Sequence, residues 1–252
     1  FEDRVDLITL RAPDYVRVGK FDLHFAAQLA DDYLSLLRDE SGMEMLVLGE
    51  DARLGRDRHA GIDQLKVITR RLGVRLKVVG TLSFGGPVGS ALAKQAYSEG
   101  DFATAVKLLG RLPSYKGSVE KGDGRGRGLG FPTANIKIAS ELALPARGIY
   151  KGSAVIGDDP GRGRLRAVMS LGTRPTFLDD GDLLLEVHLL DFDEDVYGTE
   201  MRVFFEDLIR PEAKFSSEAE LVDAMHGDVA AALALPEKSD ELYEPWGTTG
   251  ST

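Results

Sequence analysis

No cysteine occurs among the 252 residues, which excludes disulfides, thiolate metal sites and cysteine nucleophiles and leaves the redox compartment open. Histidine is scarce as well. The four present, His24, His59, His188 and His226, show no metal-ligand spacing, which argues against a histidine-built zinc site. No apolar run is long enough to span a bilayer, and no signal-peptide pattern is evident. The absence of a Gly-x-x-x-x-Gly-Lys-Ser/Thr run removes the ordinary P-loop. No internal repeat and no low-complexity block is found.

An excess of positive charge is missing too. Residues 1–113 carry 16 basic and 16 acidic side chains, and residues 114–252 carry 15 and 25, so the net charge of -10 lies wholly in the second part (0 plus 15 − 25). Wrapping a nucleic acid needs an electropositive face, so no nucleic-acid partner is expected. A nucleotide held through a metal cation stays compatible, because the ion brings its own charge. With 43% hydrophobic content, a soluble cytoplasmic enzyme of one large or two ordinary domains, without a membrane partner, is expected. The oligomeric state is left open. The chain begins at Phe1, from which a longer gene product or an upstream segment is expected.

The first part reads as α/β: Met45–Leu48 as a buried strand, Ile62–Leu72 as an amphipathic helix and Arg75–Val79 as the next strand. Helices are expected over Ser90–Glu99 and Phe102–Leu109, with Asp101 as N-cap of the latter, and Gly110–Gly117 reads as a linker. The period then changes to two. Lys151–Ile156, Leu165–Leu171, Leu183–Leu190 and Met201–Phe205 read as strands between turn signals, pointing to an antiparallel barrel or sandwich. A closing helix starts at the capping box Ser217-Glu-Ala-Glu220 and carries Leu221, Met225, Val229 and Leu233 on one stripe. The tail from Pro236 is polar and expected to be loose. The resulting boundaries are 1–113, 114–235 and 236–252.

The run Lys121-Gly-Asp-Gly-Arg-Gly-Arg-Gly-Leu-Gly-Phe-Pro-Thr-Ala-Asn135 holds the chemistry. Its five glycines from Gly122 to Gly130 let backbone N–H groups approach anionic oxygens, and Thr133 and Asn135 add hard oxygen ligands of the kind magnesium prefers. Taken alone, such a run is as readily a flexible surface loop. On the strand Leu183–Leu190, residues 183, 185, 187 and 189 share one face, and Leu184, Glu186, His188 and Leu190 the other. Glu186 then has two readings, a solvated outer-face carboxylate, the commoner, or a base beside a substrate hydroxyl. Arg174, in the Gly/Pro turn Ser170–Phe177, either contacts phosphate or caps the turn.

Gly122–Asn135, Gly148-Ile-Tyr-Lys-Gly152, Gly172-Thr-Arg-Pro-Thr-Phe177, Glu186-Val-His-Leu-Leu-Asp-Phe192 with Tyr197-Gly198, and Ile209-Arg210 before Lys214-Phe215 together closely resemble the riboflavin kinase module, in order and spacing over residues 114–233. The resemblance implies a six-stranded antiparallel barrel that moves the γ-phosphoryl group of ATP to the ribityl 5′-hydroxyl of riboflavin, giving FMN and ADP. It implies nucleotide binding by Gly122, Gly124, Arg125, Gly126, Arg127, Gly128, Gly130, Phe131 and Pro132. Thr133 and Asn135 would ligate magnesium, with manganese or zinc as alternatives. Glu186 would be the catalytic carboxylate, and Arg210 and Phe215 would contact flavin.

Leu48–Gly55 and Ser90–Gly110 resemble the second half of the FAD synthetase (FMN adenylyltransferase) domain that precedes this kinase in bifunctional bacterial enzymes. The family's Gly-x-Phe-Asp-Gly-x-His-x-Gly-His run is absent, and Phe21-Asp22-Leu23-His24 matches it only in part and lacks the glycines. The Ser-Ser-Thr-x-Ile-Arg run becomes Gly89–Lys94, with Ser90 kept and lysine in place of arginine, which cannot reproduce a bidentate grip on phosphate. The Phe-Arg-Phe-Gly element becomes Ala52-Arg-Leu-Gly55, without either ring. These departures lead to the expectation that residues 1–113 are a truncated or decayed adenylyltransferase that no longer makes FAD. The alternatives are a bifunctional enzyme whose ATP-binding segment lies outside this chain, and a flavin-binding sensor or scaffold without turnover.

Overall fold

The computed structural model describes residues 2–9, 11–83, 88–122, 124–138, 142–157, 163–173 and 183–239. Two compact units emerge, one of Arg11–Val88 and one of Phe1–Leu10 with Gly89–Thr252. They divide the chain upstream of the expected 113/114 boundary. Helix α1 (Glu2–Thr9) belongs to the larger unit.

In the smaller unit, α2 (Leu23–Ala26) and α3 (Ala30–Ser41) precede strand β1 (Met45–Gly49), helix α4 (Ile62–Leu72) and strand β2 (Arg75–Val79). β1 and β2 pair in parallel, Met45 opposite Arg75, so α4 is the crossover helix of a βαβ unit. Ala30 and Leu34 of α3 and Leu65 of α4 bury themselves with Ala60 against Leu46, Leu48 and Leu76. Asp22 accepts from the Phe25 amide at 2.9 Å and caps α2, while Phe21 and Leu23 lie exposed. The segment that partly matches a nucleotide motif is thus a helix start on the surface.

The larger unit continues with α5 (Ser90–Ser98) and α6 (Phe102–Leu109), whose N-cap is Asp101, accepting from the Thr104 amide at 3.0 Å as expected. Then follow β3 (Ser114–Glu120), a single helical turn α7 (Arg125–Gly128), β4 (Ala134–Ile136), β5 (Gly148–Ile156), β6 (Leu165–Thr173), β7 (Leu183–Leu189), β8 (Glu200–Pro211) and α8 (Glu218–Ala234). Among the described residues six antiparallel strands close a barrel in the order β3-β4-β7-β6-β5-β8. Its interior is packed by Ile136, Met169, Leu171, Leu185, Val187 and Val203. Tyr97 and Phe102 extend that core into a cluster of aromatic edges with Tyr115, Tyr150 and Phe205. Helices α5 and α6 therefore belong with the barrel.

Several expectations are corrected, among them the buried strand expected at Met45–Leu48, where Met45 and Val47 are exposed. The linker read over Gly110–Gly117 ends early, because β3 starts at Ser114; a Cβ at Gly117 would overlap the Lys137 carbonyl, so glycine is needed where β3 and the chain beyond β4 run close. The last strand runs to Pro211, which carries Ile209 and Arg210 as strand residues. The capping box is split: Ser217 accepts from the Glu220 amide, but Glu220 returns to Ser216, not to Ser217. On α8, Leu233 is 51% exposed and Asp228 and Ala232 are the buried positions. The tail is held at its start. Lys151 Nζ donates to the Leu235 and Pro236 carbonyls at 3.2 and 2.7 Å, and Lys238 pairs with Asp207 at 2.7 Å.

Candidate active site

Strand β7 alternates as its sequence requires, with Leu185, Val187 and Leu189 buried in the barrel and Leu184, Glu186 and His188 half-buried on the outside. In register, Glu186 stands opposite Asn135 of β4 and Ser170 of β6. Its neighbours across the sheet are polar, although its neighbours in sequence are leucines. The outer-face reading of Glu186 correctly gives its side of the sheet, but that side is not open solvent. It forms the wall of two cavities.

The first cavity, of about 690 Å³, opens between the 122–135 segment and the chain after β7, with Gly122, Gly124, Arg127, Pro132 and Asn135 on one side. Asp193, Glu194 and Asp195 face them, next to Tyr197, over whose ring Lys121 Nζ lies 5.7 Å from the centroid. The second, of about 310 Å³, lies under α8 and is lined by Ile149, Val168, Ser170, Leu221, Met225 and Val229, with Arg210 and Phe215 at the end of β8. Thr133 and Glu186 are the two residues common to both walls. A hydroxyl and a carboxylate thus stand where two differently lined spaces meet.

The local backbone explains that placement. Ala134 turns into the core, so Thr133 and Asn135, one residue to either side, face outward together, Asn135 with 7% of its surface exposed. A Cβ at Gly122 would overlap the Asn135 side-chain amide, and one at Gly126 the Phe131 carbonyl. Glycine is what lets the loop close down on these oxygens. Two neutral hard-oxygen donors, Thr133 just before β4 and Asn135 within it, with Glu186 opposite Asn135, are of the kind that would suit a magnesium-type ion. The loop itself is less free than its composition suggests. The amides of Gly128, Leu129, Gly130 and Phe131 donate back to Gly124, Gly126, Arg127 and Gly126, closing α7, so they are spent within the turn.

The expected nucleotide-binding residues therefore separate. Gly122, Gly124, Arg127 and Pro132 line the larger cavity, and Arg127 is exposed there. Gly126 and Phe131 line the smaller one, whereas Gly128 and Gly130 line neither. Arg125 lies in α7. Arg174 lies outside the described residues. Phe131 is buried with its ring edge-on to His188 and His226, at 5.4 and 4.9 Å, and His188 Nδ1 meets the Pro132 carbonyl at 2.8 Å. Because a carbonyl only accepts, Nδ1 carries the proton.

Two residues of this site carried no readable signal. Ser170 stands opposite Glu186 through strand register, which pairing alone reveals, whereas His188 shares the Glu186 face as the alternation already indicated. Asp228 lies between Gly227 and Val229 on α8 and looks like any helical acid, yet it is buried and binds Arg210 through two contacts of 2.7 Å. The Arg210 guanidinium carbon lies 5.5 Å from the centre of the Phe215 ring.

Residues 109–235 match the riboflavin kinase family model, and residues 1–91 match the FAD synthetase model. The bifunctional riboflavin kinase/FMN adenylyltransferase of Pseudomonas fluorescens is 35% identical over 215 residues, covering 85% of this chain and 67% of that protein. Its Escherichia coli counterpart is 35% identical over 211 residues, covering 82% and 66%. The chain thus spans about two thirds of the length of these relatives. A solved structure described as a macrolide-efflux protein from Streptococcus pneumoniae superimposes with a TM-score of 0.81 at 28% identity, covering 93% of this chain and 75% of that one. Efflux is said of that protein alone, and among the described residues here no helix is long and apolar enough to cross a membrane. The barrel order, the match over its whole length and these relatives place the chain in the riboflavin kinase family, with an FAD synthetase-like region ahead of the kinase.

Proposed function

We propose that the chain phosphorylates the 5′-hydroxyl of riboflavin with ATP, and that the observation carrying this reading is the sharing of Thr133 and Glu186 by the two cavities. The triphosphate lies in the larger cavity, against the backbone at Gly122 and Gly124 and the exposed Arg127. The flavin ring occupies the smaller cavity, and its ribityl chain reaches the junction. Glu186 orients the terminal hydroxyl and accepts its proton as the new O–P bond forms and the bond to the β-phosphate bridging oxygen breaks. Thr133 and Asn135 hold magnesium, with manganese or zinc as alternatives, and such an ion supplies charge neutralisation at the phosphates. The protein's own contribution is mostly positioning, which is what phosphoryl transfer asks for. Riboflavin, FMN, ATP and ADP are the expected partners, in a cytoplasmic setting.

The test is FMN formation from riboflavin, ATP and magnesium, followed by chromatography. Glu186→Gln is expected to lower kcat by about 100- to 10,000-fold while riboflavin still binds. Undetectable turnover by the native protein overturns the kinase reading in favour of a flavin-binding sensor or scaffold. Full activity in Glu186→Gln overturns only the role of Glu186.

A second reading rests on the FAD synthetase match over residues 1–91. We hold that residues 1–113 have lost adenylyl transfer, since Lys94 replaces the family's arginine and Ala52 and Leu54 replace its two aromatic rings. Incubation with FMN, ATP and magnesium checks it. FAD at enzyme-like rates restores the bifunctional reading.

A further inference from the structure

Arg210 sits at the end of β8 with its guanidinium held on both edges. Nε and Nη2 donate to the two Asp228 oxygens at 2.7 Å each, and Nη1 donates to the Pro211 carbonyl at 3.2 Å. The Asp228 side chain is 8% exposed and that of Arg210 is 26% exposed, so the pair is largely withdrawn from water. Both residues line the smaller cavity together with Phe215. With its edges engaged and its charge matched, such a guanidinium has little left for an anion. What it presents to the cavity is a flat, delocalised face, suited to an uncharged planar heteroaromatic ring.

We propose that Asp228 is a positioning residue that fixes Arg210 edge-on, so that the guanidinium plane, lying over the Phe215 ring with its carbon 5.5 Å from the ring centre, offers a stacking face for the flavin ring. The assignment of the ring to this cavity rests on the kinase reading. Asp228 touches no substrate in this scheme and acts through Arg210. A lysine at 210 would keep a cation beside Asp228 but have no plane to offer.

The test uses the full chain, with riboflavin and lumichrome (the ring system without its ribityl chain) titrated by fluorescence in the absence of ATP. Asp228→Asn and Arg210→Lys are each expected to weaken both ligands by the same factor, about tenfold. KM for ATP should stay within about twofold of the parent, and kcat should change less than KM for riboflavin. Arg210→Lys carries the decision, because a purely structural ion pair predicts that lysine restores flavin binding along with the fold. Riboflavin affinity at the parental level in Arg210→Lys, or in a folded Asp228→Asn, overturns the proposal. If Asp228→Asn does not fold, Arg210→Lys and Arg210→Gln decide it by the same comparison. A parent protein that binds both ligands but forms no FMN overturns the kinase reading and leaves the stacking surface standing. A parent that binds neither overturns both.

Discussion

At the scale of single residues, Gly122 shows how tightly the candidate site is built. Its backbone lies against the Asn135 side chain so closely that a methyl group would occupy the amide's position. Gly122→Ala should therefore displace Asn135. A shift of about 1 Å at a reacting centre costs on the order of 100-fold in rate, so kcat should fall by about that much, with a rise in the magnesium concentration needed for half-maximal activity. Steady-state kinetics across a magnesium titration measure both, and parental values would show that Asn135 is not where the ion is held. Phe-Pro-Thr-Ala-Asn was legible as a unit because its chemistry is local. From its strand alone Glu186 was legible only as an alternative, since a carboxylate on the outer face of a strand has the same pattern whether solvent or a cavity lies beyond it, and the family resemblance was what favoured the catalytic reading. Asp228 was not legible at all, because nothing in a helical stretch says which acid faces an arginine eighteen positions earlier.

At the scale of elements, strongly periodic segments came through and irregular ones did not. Helix α4 and strand β2 run as their patterns require, and α6 starts at Asp101 because a carboxylate there satisfies the Thr104 amide. Strands β3 and β4 gave no period-two signal. Gly117 and Ser118 look like loop residues and hide the alternation of β3, in which Tyr115 and Val119 are buried while Ser118 and Glu120 are exposed, and Ala134–Ile136 is buried along its whole length, so β4 does not alternate. Helix α8 supplies a test of capping. Ser217→Ala removes the acceptor of the Glu220 amide and should cost about 1 kcal/mol in denaturant unfolding of the protein. The Glu220 carboxyl is held below its ordinary range by bonds from the Ser216 amide and hydroxyl. Its folded value is depressed, so the stability it contributes is present above the ordinary carboxylate value and is lost as pH falls through the depressed one. Glu220→Gln should flatten that acid limb.

At the scale of the whole molecule, the barrel core makes its own pH prediction. Burial pushes the Tyr97 phenol well above its usual value, and burial raises Tyr150 from 10.0 to about 12. For a group raised in the folded state the contribution is intact below the unfolded value and is lost as pH rises through the folded one. The tyrosine contribution should thus be level below pH 10 and fall as pH approaches about 12, followed by circular dichroism alongside tyrosinate absorbance. Tyr97→Phe should move that loss to higher pH. A stability that falls in the neutral range, with tyrosines still protonated, would show that another group governs it.

The sequence by itself determined the chemistry available to this protein: a glycine-rich basic loop, two hard oxygens two positions apart, a carboxylate on an alternating strand, and no thiol to do anything else. Such features depend on neighbours within a few residues, and local order carries them. Tertiary structure alone decided which of these meet. Closing six strands into a barrel sets Glu186 opposite Asn135 and Ser170, and laying α8 against the outside makes a second cavity that meets the first at Thr133 and Glu186. It also spent four of the loop's amides inside a helical turn and buried Asp228 against Arg210. The physical reason is the same in each case. Register and burial are settled by contacts between segments distant in sequence, and no local pattern encodes which partner a side chain will find.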